Sequence, residues 1–372
     1  MYIKSLGIYS VLGADLQTVQ NALISNTPAR VIDDPEKQAL GFRSVRTMPF
    51  PTPPTPLPRT IRRSGDEQTA YAYHAVKQAL EGMTEEEIRK CALVVACDST
   101  ANAYHPDNDT RSCQQVFRQL NTSVAMNIAR AFHIEGAVTT VSAACASGLV
   151  AFDTAIKMNL GSDYDHIIVL GVQETGPHAV QTLDRLGVLS QTETKPFAKD
   201  HDGFIPTGGA ACVVLESPSH YLLREGKTAL GYIHRIWRNN GHCTTMIAPD
   251  KEAERALLIK AMKAYPPVTY HREPTDNDPQ STTETPILIA HATGTPDGDE
   301  TEAQAILDAE DSVGWNFARV RHYKGLCGHE MWMSGVTQVL YSCLKYQDLN
   351  QPIIANAFGF GGNNAVCYFE VY

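Results

Sequence analysis

The feature that most constrains this chain is a cysteine at the junction of a strand and a helix. Cys145 lies in the segment VSAACASGLVAFDTAIKM, where a β-branched run ends in small residues and a helical pattern begins at about Leu149. Small neighbours allow backbone and substrate to approach closely, and the positive end of a helix dipole favours the thiolate form of cysteine. A reactive nucleophile is therefore reasonable here. A single cysteine among alanines is nevertheless more often a small buried hydrophobic residue.

Three further segments supply what a thiol nucleophile needs. The apolar strand in PILIAHATGTPDGDETEA delivers His291 at its end, where sites form in α/β sheets. The segment RHYKGLCGHEMWMSGVTQVLYSCL places Lys324 and His329 at a glycine-containing turn before an apolar helix. The glycine-rich turn in NAFGFGGNNAVCYFEVY offers backbone N–H groups that can receive an oxyanion. Each segment alone is a weak signal, but together they indicate thioester chemistry.

With these motifs in this order, the sequence resembles the β-ketoacyl-acyl-carrier-protein synthases, the elongating condensing enzymes of the thiolase superfamily. The resemblance runs from IKSLGIYSVLGADLQTVQNAL through SAACASG, KPFAKDHDGFIPTGGAACVVLE, HATGTPDGDETEA and KGLCGH to NAFGFGGNNA. The pair of histidines indicates the elongating branch, because similar starter-unit synthases use Cys, His and Asn, whereas thiolases use a second Cys.

The resemblance implies an α/β thiolase-like fold, in which two similar halves form a five-layered αβαβα core. We therefore expect residues 1–372 to be a single ketosynthase unit. A nucleophile half would span roughly 1–215, and a half with both histidines and the GFGG turn roughly 216–372.

The same resemblance implies the reaction and the role of each residue. Cys145 would take an acyl group from the phosphopantetheine of an acyl carrier protein, with the oxyanion held by the N–H groups of Cys145 and Phe360. His291 and His329 would then donate hydrogen bonds to malonyl-carrier protein. Loss of CO₂ would give an enolate that attacks the acyl group and yields a 3-oxoacyl thioester, in fatty acid or in polyketide or polyene biosynthesis.

Supporting roles follow by the same matching. Lys324 would order the histidines electrostatically, Thr293 and Thr295 would line the phosphopantetheine tunnel, and Phe360 would also gate the acyl pocket. For carrier-protein docking we expect a basic cluster at a helix start, made of Arg59, Arg62 and Arg63. A charged helix start, turn-capping threonines and a solvated lysine are the ordinary alternatives.

The sequence also departs from the pattern of the family. The segment before Asn356 is short, and Gln338 occupies the position at which a glutamate often pairs with the motif lysine. Bulky Met331, Trp332 and Met333 follow His329. They either reshape the malonyl pocket or fill the space that the short segment leaves.

These departures leave three functions open. The chain is a condensing enzyme, an acyltransferase or thioesterase-like protein that loads Cys145 without condensation, or a partner subunit that resembles a chain-length factor. The retained Cys145, His291 and His329 favour the first. We expect a homodimer, with a heterodimer of related ketosynthase-like subunits as the alternative.

Composition excludes other classes of protein. The formal net charge of −10 argues against a nucleic-acid partner, and no run of 18 apolar residues predicts membrane insertion. The start MYIKSLGIYSVLG resembles a strand rather than a signal peptide, so we expect a cytoplasmic protein. Nine cysteines without a CxxC pair argue against a disulfide framework and a metal site. No cofactor is expected beyond the phosphopantetheine of the carrier protein.

Overall fold

The computed structural model describes residues 1–53, 55–64, 67–98, 120–161, 164–271 and 281–372, and side chains at 63–64, 178, 268–271 and 281–284 lie outside the description. The helices are α1 (Leu16–Ser25), α2 (Pro35–Ala39), α3 (Arg59–Ser64), α4 (Glu67–Ala79), α5 (Glu85–Lys90), α6 (Ser123–Ala131), α7 (Ser147–Leu160), α8 (Pro177–Leu186), α9 (Pro218–Leu223), α10 (Lys251–Ala264), α11 (Pro296–Val313), α12 (Lys324–Cys327) and α13 (Ser334–Lys345). Short 3₁₀ turns lie at Met331–Met333 and Phe360–Gly362.

The strands form one continuous ladder of ten and two separate pairs. They are β1 (Tyr2–Ser10), β2 (Ile32–Asp33), β3 (Arg46–Thr47), β4 (Ala92–Ala96), β5 (Val138–Val141), β6 (His166–Gln173), β7 (Gly209–Glu216), β8 (Gly231–Asn240), β9 (Val268–His271), β10 (Ser281–Glu284), β11 (Ile287–Ile289), β12 (Arg319–Arg321), β13 (Gln351–Gly359) and β14 (Asn363–Val371). The ladder has the order β12-β11-β13-β14-β8-β1-β7-β6-β4-β5, while β2 pairs with β3 and β9 with β10.

The same arrangement of five strands occurs twice in the ladder. One set is β5-β4-β6-β7-β1 and the other is β12-β11-β13-β14-β8. If the five strands of each set are numbered along the chain, both sets have the order third, second, fourth, fifth, first across the sheet. In both sets the first three strands, read across the sheet, pair in parallel. The fourth strand across the sheet pairs with the third in antiparallel orientation. The sets meet where Tyr2 and Ile3 of β1 pair with β8. The predicted boundary between residues 215 and 216 falls at the end of β7 and stays a prediction.

Three layers of helices enclose these two sets of strands. Helices α4 and α6 pack on the outer face of the first set, in a core that includes Val76, Ile128 and Leu93. Helices α10 and α11 cover the outer face of the second set. Helices α7 and α13 lie between the sets in the largest apolar core. The predicted α/β fold with five layers is confirmed.

The two central helices approach each other closely at glycine. A Cβ atom added to Gly148 in α7 would lie 2.5 Å from the backbone nitrogen of Val336 and 2.7 Å from Cα of Gly335, both in α13. Because the obstacles are backbone atoms, no side-chain rotation relieves such a clash. This contact sets the distance between the two segments that carry Cys145 and His329.

Two further observations concern membrane-spanning helices and disulfide bonds. None of the described helices is both long and apolar enough to cross a membrane. None of the eight cysteines in the described part of the chain forms a disulfide.

We predict that Gly148→Ala destabilises the protein by roughly 3 kcal/mol, because the added methyl group forces the central helices apart. Gly161→Ala, in open space at the end of the same helix, is the matched control and should change stability by less than about 0.5 kcal/mol. Denaturant unfolding of both variants checks this. Equal stability of the two variants would contradict it.

Candidate active site

The structure brings the three predicted reactive side chains together. The sulfur of Cys145 and ring nitrogens of His291 and His329 all lie within 4.8 Å of one another. Nε2 of His329 is 3.2 Å from Sγ of Cys145. All three side chains are buried, with exposed fractions of 4%, 6% and 1%.

Equivalent parts of the two strand sets deliver these residues. Strand β5 is followed by the turn with Cys145 and by α7, and strand β12 is followed by α12, His329 and α13. His291 comes two residues after the end of β11, which lies beside β12 in parallel. Because the ends of parallel strands meet at one edge of a sheet, residues far apart in sequence converge here.

The backbone at the nucleophile is strained. Ala144, immediately before Cys145, has a φ of 47°, a left-handed conformation that is unfavourable for a residue with a side chain. The Oγ of Ser147 bridges the turn by accepting from the Ala143 N–H and donating to the Ala144 carbonyl. This turn holds the thiol at the start of α7.

The thiol itself differs from the sequence-based expectation. Burial raises the pKa of Cys145 to about 11, and the charge of Lys324 offsets only part of that increase. We expected the start of the helix to favour the thiolate, and this expectation was incomplete because it ignored the loss of solvent around the sulfur. The resting form at neutral pH is therefore the thiol.

Both histidines are neutral. Burial and the nearby charge of Lys324 lower the pKa values of His291 and His329 well below the ordinary value for histidine. A neutral imidazole has one N–H donor and one acceptor nitrogen. In each ring, the hydrogen-bond partners of Nδ1 therefore decide whether Nε2 carries the proton.

For His329, backbone geometry decides the tautomer. The Met331 N–H, which can only donate, lies 3.3 Å from Nδ1 of His329, and Ser334 Oγ is also 3.3 Å from it. Since Nδ1 accepts, the proton of the neutral ring is on Nε2, which points at Cys145. His329 is thus an N–H donor toward the sulfur.

For His291, Lys324 has the same effect. The Lys324 ammonium donates to the His291 carbonyl and lies 3.5 Å from Nδ1 of the same residue. With a cation beside Nδ1, that nitrogen is favoured as acceptor, which places the proton on Nε2. Lys324 is buried, so the alternative of a solvated surface lysine is wrong.

A carboxylate that the sequence analysis missed holds the His291 loop. Glu302 in α11 accepts from the backbone N–H groups of His291 and Ala292 at 2.7 and 2.6 Å and from Nδ2 of Asn356 at 2.8 Å. These bonds support the left-handed conformation of Ala292, whose φ is 48°. The only sequence signal was an acidic residue eleven positions after His291.

The absent glutamate at position 338 is partly compensated by other acids. Gln338 is buried and its Nε2 donates to the carbonyl of Asn356 at 2.9 Å. In the described part of the chain no carboxylate forms an ion pair with Lys324, but Glu302 and Glu330 are close enough to stabilise its charge. Glu330 is buried and accepts from Thr337 and Tyr341 at 2.6 and 2.7 Å. Lys324 therefore does have acidic neighbours.

The bulky run after His329 lies on the apolar side of the site. Met331 packs in a cluster with Cys145, Leu189 and Phe204, and Trp332 packs against this cluster. Met333 belongs to the central core instead. Met331 and Trp332 therefore pack beside the nucleophile, and none of the three residues lines the cavity next to His291.

That cavity has a volume of about 410 Å³ and has His291 in its lining. Thr293 and Thr295 line it with hydroxyls 2.9 Å apart, and Phe360 lines it together with Phe358. A Cβ atom on Gly359 would lie 2.9 Å from the Ala143 carbonyl, so the glycine-rich turn lies against the nucleophile turn.

The predicted docking cluster is only partly described. Arg59 and Arg62 are exposed on α3. Nothing is described of the Arg63 side chain, so this part of the prediction lies outside the described residues.

Cysteine and histidine are also metal ligands, and the triad has a suitable arrangement of donors. The ammonium of Lys324, 3.5 Å from one ring nitrogen of His291, opposes binding of a cation there. These residues suit transfer of an acyl group to sulfur and stabilisation of a charged oxygen.

Family models match the chain twice. The N-terminal domain of β-ketoacyl synthases matches residues 56–220, and the C-terminal domain matches residues 280–357. The chain belongs to the β-ketoacyl synthase family, as its motifs predicted. Its activity is accordingly that of an acyltransferase that forms 3-oxoacyl thioesters.

Similar proteins include a separate 3-oxoacyl synthase and a much longer hybrid synthetase. The 3-oxoacyl-[acyl-carrier-protein] synthase 1 of Haemophilus influenzae is 23% identical over 85% of each chain. The hybrid PKS-NRPS synthetase iccA of Talaromyces variabilis is 26% identical over 82% of this chain, which spans 8% of that longer protein.

Solved structures show the same fold. A β-ketoacyl synthase from Burkholderia phymatum superposes with a TM-score of 0.84 at 20% identity, covering 100% of this chain and 99% of that one. The ishigamide ketosynthase/chain length factor has a TM-score of 0.82 at 19% identity, with coverage of 100% and 98%.

We predict that alkylation of Cys145 by iodoacetamide accelerates about tenfold per pH unit from about pH 7 to about pH 9, because the thiolate fraction grows below a raised pKa. Lys324→Met should slow the reaction at each pH, since loss of the cation raises the pKa of the thiol further. Peptide mass mapping separates Cys145 from the partly exposed Cys243. A plateau below about pH 8, or faster alkylation of the variant, would contradict this.

Proposed function

We propose that this chain condenses an acyl group held on Cys145 with a malonyl group carried by an acyl carrier protein. The observation that carries the proposal is the convergence of one thiol and two neutral histidines within 4.8 Å, each histidine poised as an N–H donor. Such donors stabilise negative charge on oxygen without removing a proton from substrate.

In the first half-reaction, the sulfur of Cys145 attacks the thioester carbonyl of an acyl-carrier protein. A carbon–sulfur bond to Cys145 forms, the bond to the pantetheine sulfur breaks, and the thiol proton of Cys145 ends on that leaving sulfur. The N–H groups of Cys145 and Phe360 are our candidates for the oxyanion hole, supported by the contact of the Gly359 turn with the nucleophile turn.

In the second half-reaction, His291 and His329 donate to the thioester carbonyl of malonyl-carrier protein. The carbon–carbon bond to the carboxylate breaks, and its electron pair forms the enolate. CO₂ departs, the enolate carbon bonds to the acyl carbon, and Cys145 leaves as a thiolate that takes a proton from water. Since decarboxylation supplies the electron pair, the sequence of steps needs neither metal nor redox cofactor.

Two other functions remain to be separated from condensation. An acyltransferase or thioesterase-like protein would load Cys145 and never extend the chain, which Gln338 and the bulky run suggested. Against it, Glu302 and Glu330 stabilise Lys324, and Met331 and Trp332 pack away from the His291 cavity. A partner subunit resembling a chain-length factor would need none of the buried reactive groups.

Acyl carrier protein is the partner that fits this chemistry. Thr293 and Thr295 line the cavity of about 410 Å³ in which we place the pantetheine arm. Exposed Arg59 and Arg62 are cationic candidates for docking an acidic carrier. One similar structure, with 16% identity, is described as a type II PKS acyl-carrier protein in complex with its ketosynthase.

A homodimer in the cytoplasm completes the proposal. Strand β5 is at one end of the ladder, directly before the nucleophile turn, and Val138 on it is 39% exposed. An uncovered edge strand is a template for pairing with a second chain. A related subunit on the same edge would give the heterodimer instead.

The test is intact-protein mass after incubation with medium-chain acyl-carrier protein, for the wild type and for Cys145→Ala. We predict an acyl adduct on the wild type alone, discharged by malonyl-carrier protein as a 3-oxoacyl-carrier protein two carbons longer. His291→Ala should load normally and fail to extend.

If the wild type forms an acyl adduct but never extends it, the protein is an acyltransferase and our proposal is wrong. Absence of any adduct across several acyl groups would favour the partner subunit. A chelating agent added to a parallel reaction should leave the rate of chain extension unchanged.

A further inference from the structure

The cavity beside His291 contains a buried acid that no motif of the sequence explains. Glu254 projects from α10 and lines this cavity, yet only 3% of its surface is exposed. Its Oε2 has no hydrogen-bond partner in the described part of the chain. A buried carboxyl oxygen without a partner is costly, so a group that satisfies it in the substrate complex is expected.

Neither neighbouring acid forms a hydrogen bond with Oε2 of Glu254 in the described part of the chain. Asp250 accepts from the backbone N–H groups of Ala253 and His242 at 3.1 and 2.7 Å. Glu302 accepts the three bonds that hold the His291 loop. Glu254 therefore faces two other acids without a donor between them.

This environment keeps Glu254 protonated. Burial, followed by the negative charges of Glu302 and Asp250, raises the pKa of Glu254 to about 9. A neutral carboxyl differs from a carboxylate because it carries an O–H group that donates. The cavity thus holds a hydrogen-bond donor at neutral pH where the sequence shows an acid.

The cavity suits a neutral polar ligand. Its described lining contains no lysine or arginine, but includes the acids Asp202 and Asp297 besides those named above. Hydroxyls of Thr293 and Thr295 and the ring of Phe358 complete the wall. An anionic phosphate is disfavoured here, whereas an extended chain with secondary amides is favoured.

We propose that Glu254 is a specificity-determining residue that donates its carboxyl O–H to an amide carbonyl of the pantetheine arm in this cavity. The inference rests on the proposed function only in that a pantetheine thioester delivers the acyl group. It is tested on the loading step alone, so that success or failure of condensation does not affect the outcome.

The experiment compares two acyl donors with the same acyl group, acyl-pantetheine and an S-ethyl thioester that has no amide. Acylation of Cys145 is followed by intact mass for wild type, Glu254→Gln and Glu254→Met. Gln retains a neutral N–H donor, whereas Met has similar length and no hydrogen-bonding capacity. We expect Glu254→Met to lower kcat/KM for acyl-pantetheine about tenfold and to leave kcat/KM for the S-ethyl thioester unchanged. Glu254→Gln should keep kcat/KM for both donors near the wild-type values.

An equal loss with both donors would show a purely structural role for Glu254 and overturn the proposal, as would no loss with either. If Glu254→Met does not fold, Glu254→Ala gives the same comparison. If the wild type accepts neither donor, the proposed function fails. Calorimetric titration with pantetheine alone then decides: weaker binding to the Met or Ala variant than to the Gln variant supports the role of Glu254, and equal binding overturns it.

Discussion

The structure of the active site depends on one buried positive charge. Lys324 donates to the backbone of His291 and lies 3.5 Å from its Nδ1. Burial lowers the pKa values of both histidines and the charge of Lys324 lowers them further, whereas burial raises the pKa of Cys145 and Lys324 offsets only part of that increase. Burial in turn lowers the pKa of Lys324, while Cys145, Glu302 and Glu330 oppose that shift. Burial and this ammonium together keep two histidines neutral as donors, and the ammonium favours ionisation of the thiol against the effect of burial.

Buried acids hold this charge in place and shape the surroundings. Glu302 fixes the loop after β11 through three hydrogen bonds, and its own pKa rises to about 7 because it is buried. Glu330 is bonded to Thr337 and Tyr341 within α13, and burial raises its pKa to about 7 as well. The site therefore combines acids in intermediate ionisation states with a cation, rather than one strong ion pair. Such an arrangement avoids the full desolvation cost of several permanent charges.

Much of this could be predicted from the sequence, because local motifs encode it. Cys145, His291, His329 and Lys324 each lie at the end of a strand or the start of a helix, and the α/β topology brings those ends to one edge. Glu302 and Glu254 could not be assigned, since their importance arises from partners on other elements. The raised pKa of the Cys145 thiol could not be predicted either, because burial is a property of the whole fold. The side of the site on which Met331 lies was equally out of reach, because it depends on packing against Leu189 and Phe204.

The central claim is that both histidines are neutral N–H donors, each with its proton on Nε2. Nitrogen-15 NMR of protein with labelled histidine, with His291 and His329 assigned by single substitutions, tests it directly because nitrogen shifts separate the two tautomers and the imidazolium form. Our account predicts that both rings are neutral with the proton on Nε2 from about pH 8 down to about pH 6, since their pKa values lie well below the ordinary value. An imidazolium at neutral pH, or a proton on Nδ1 of either ring, would contradict it.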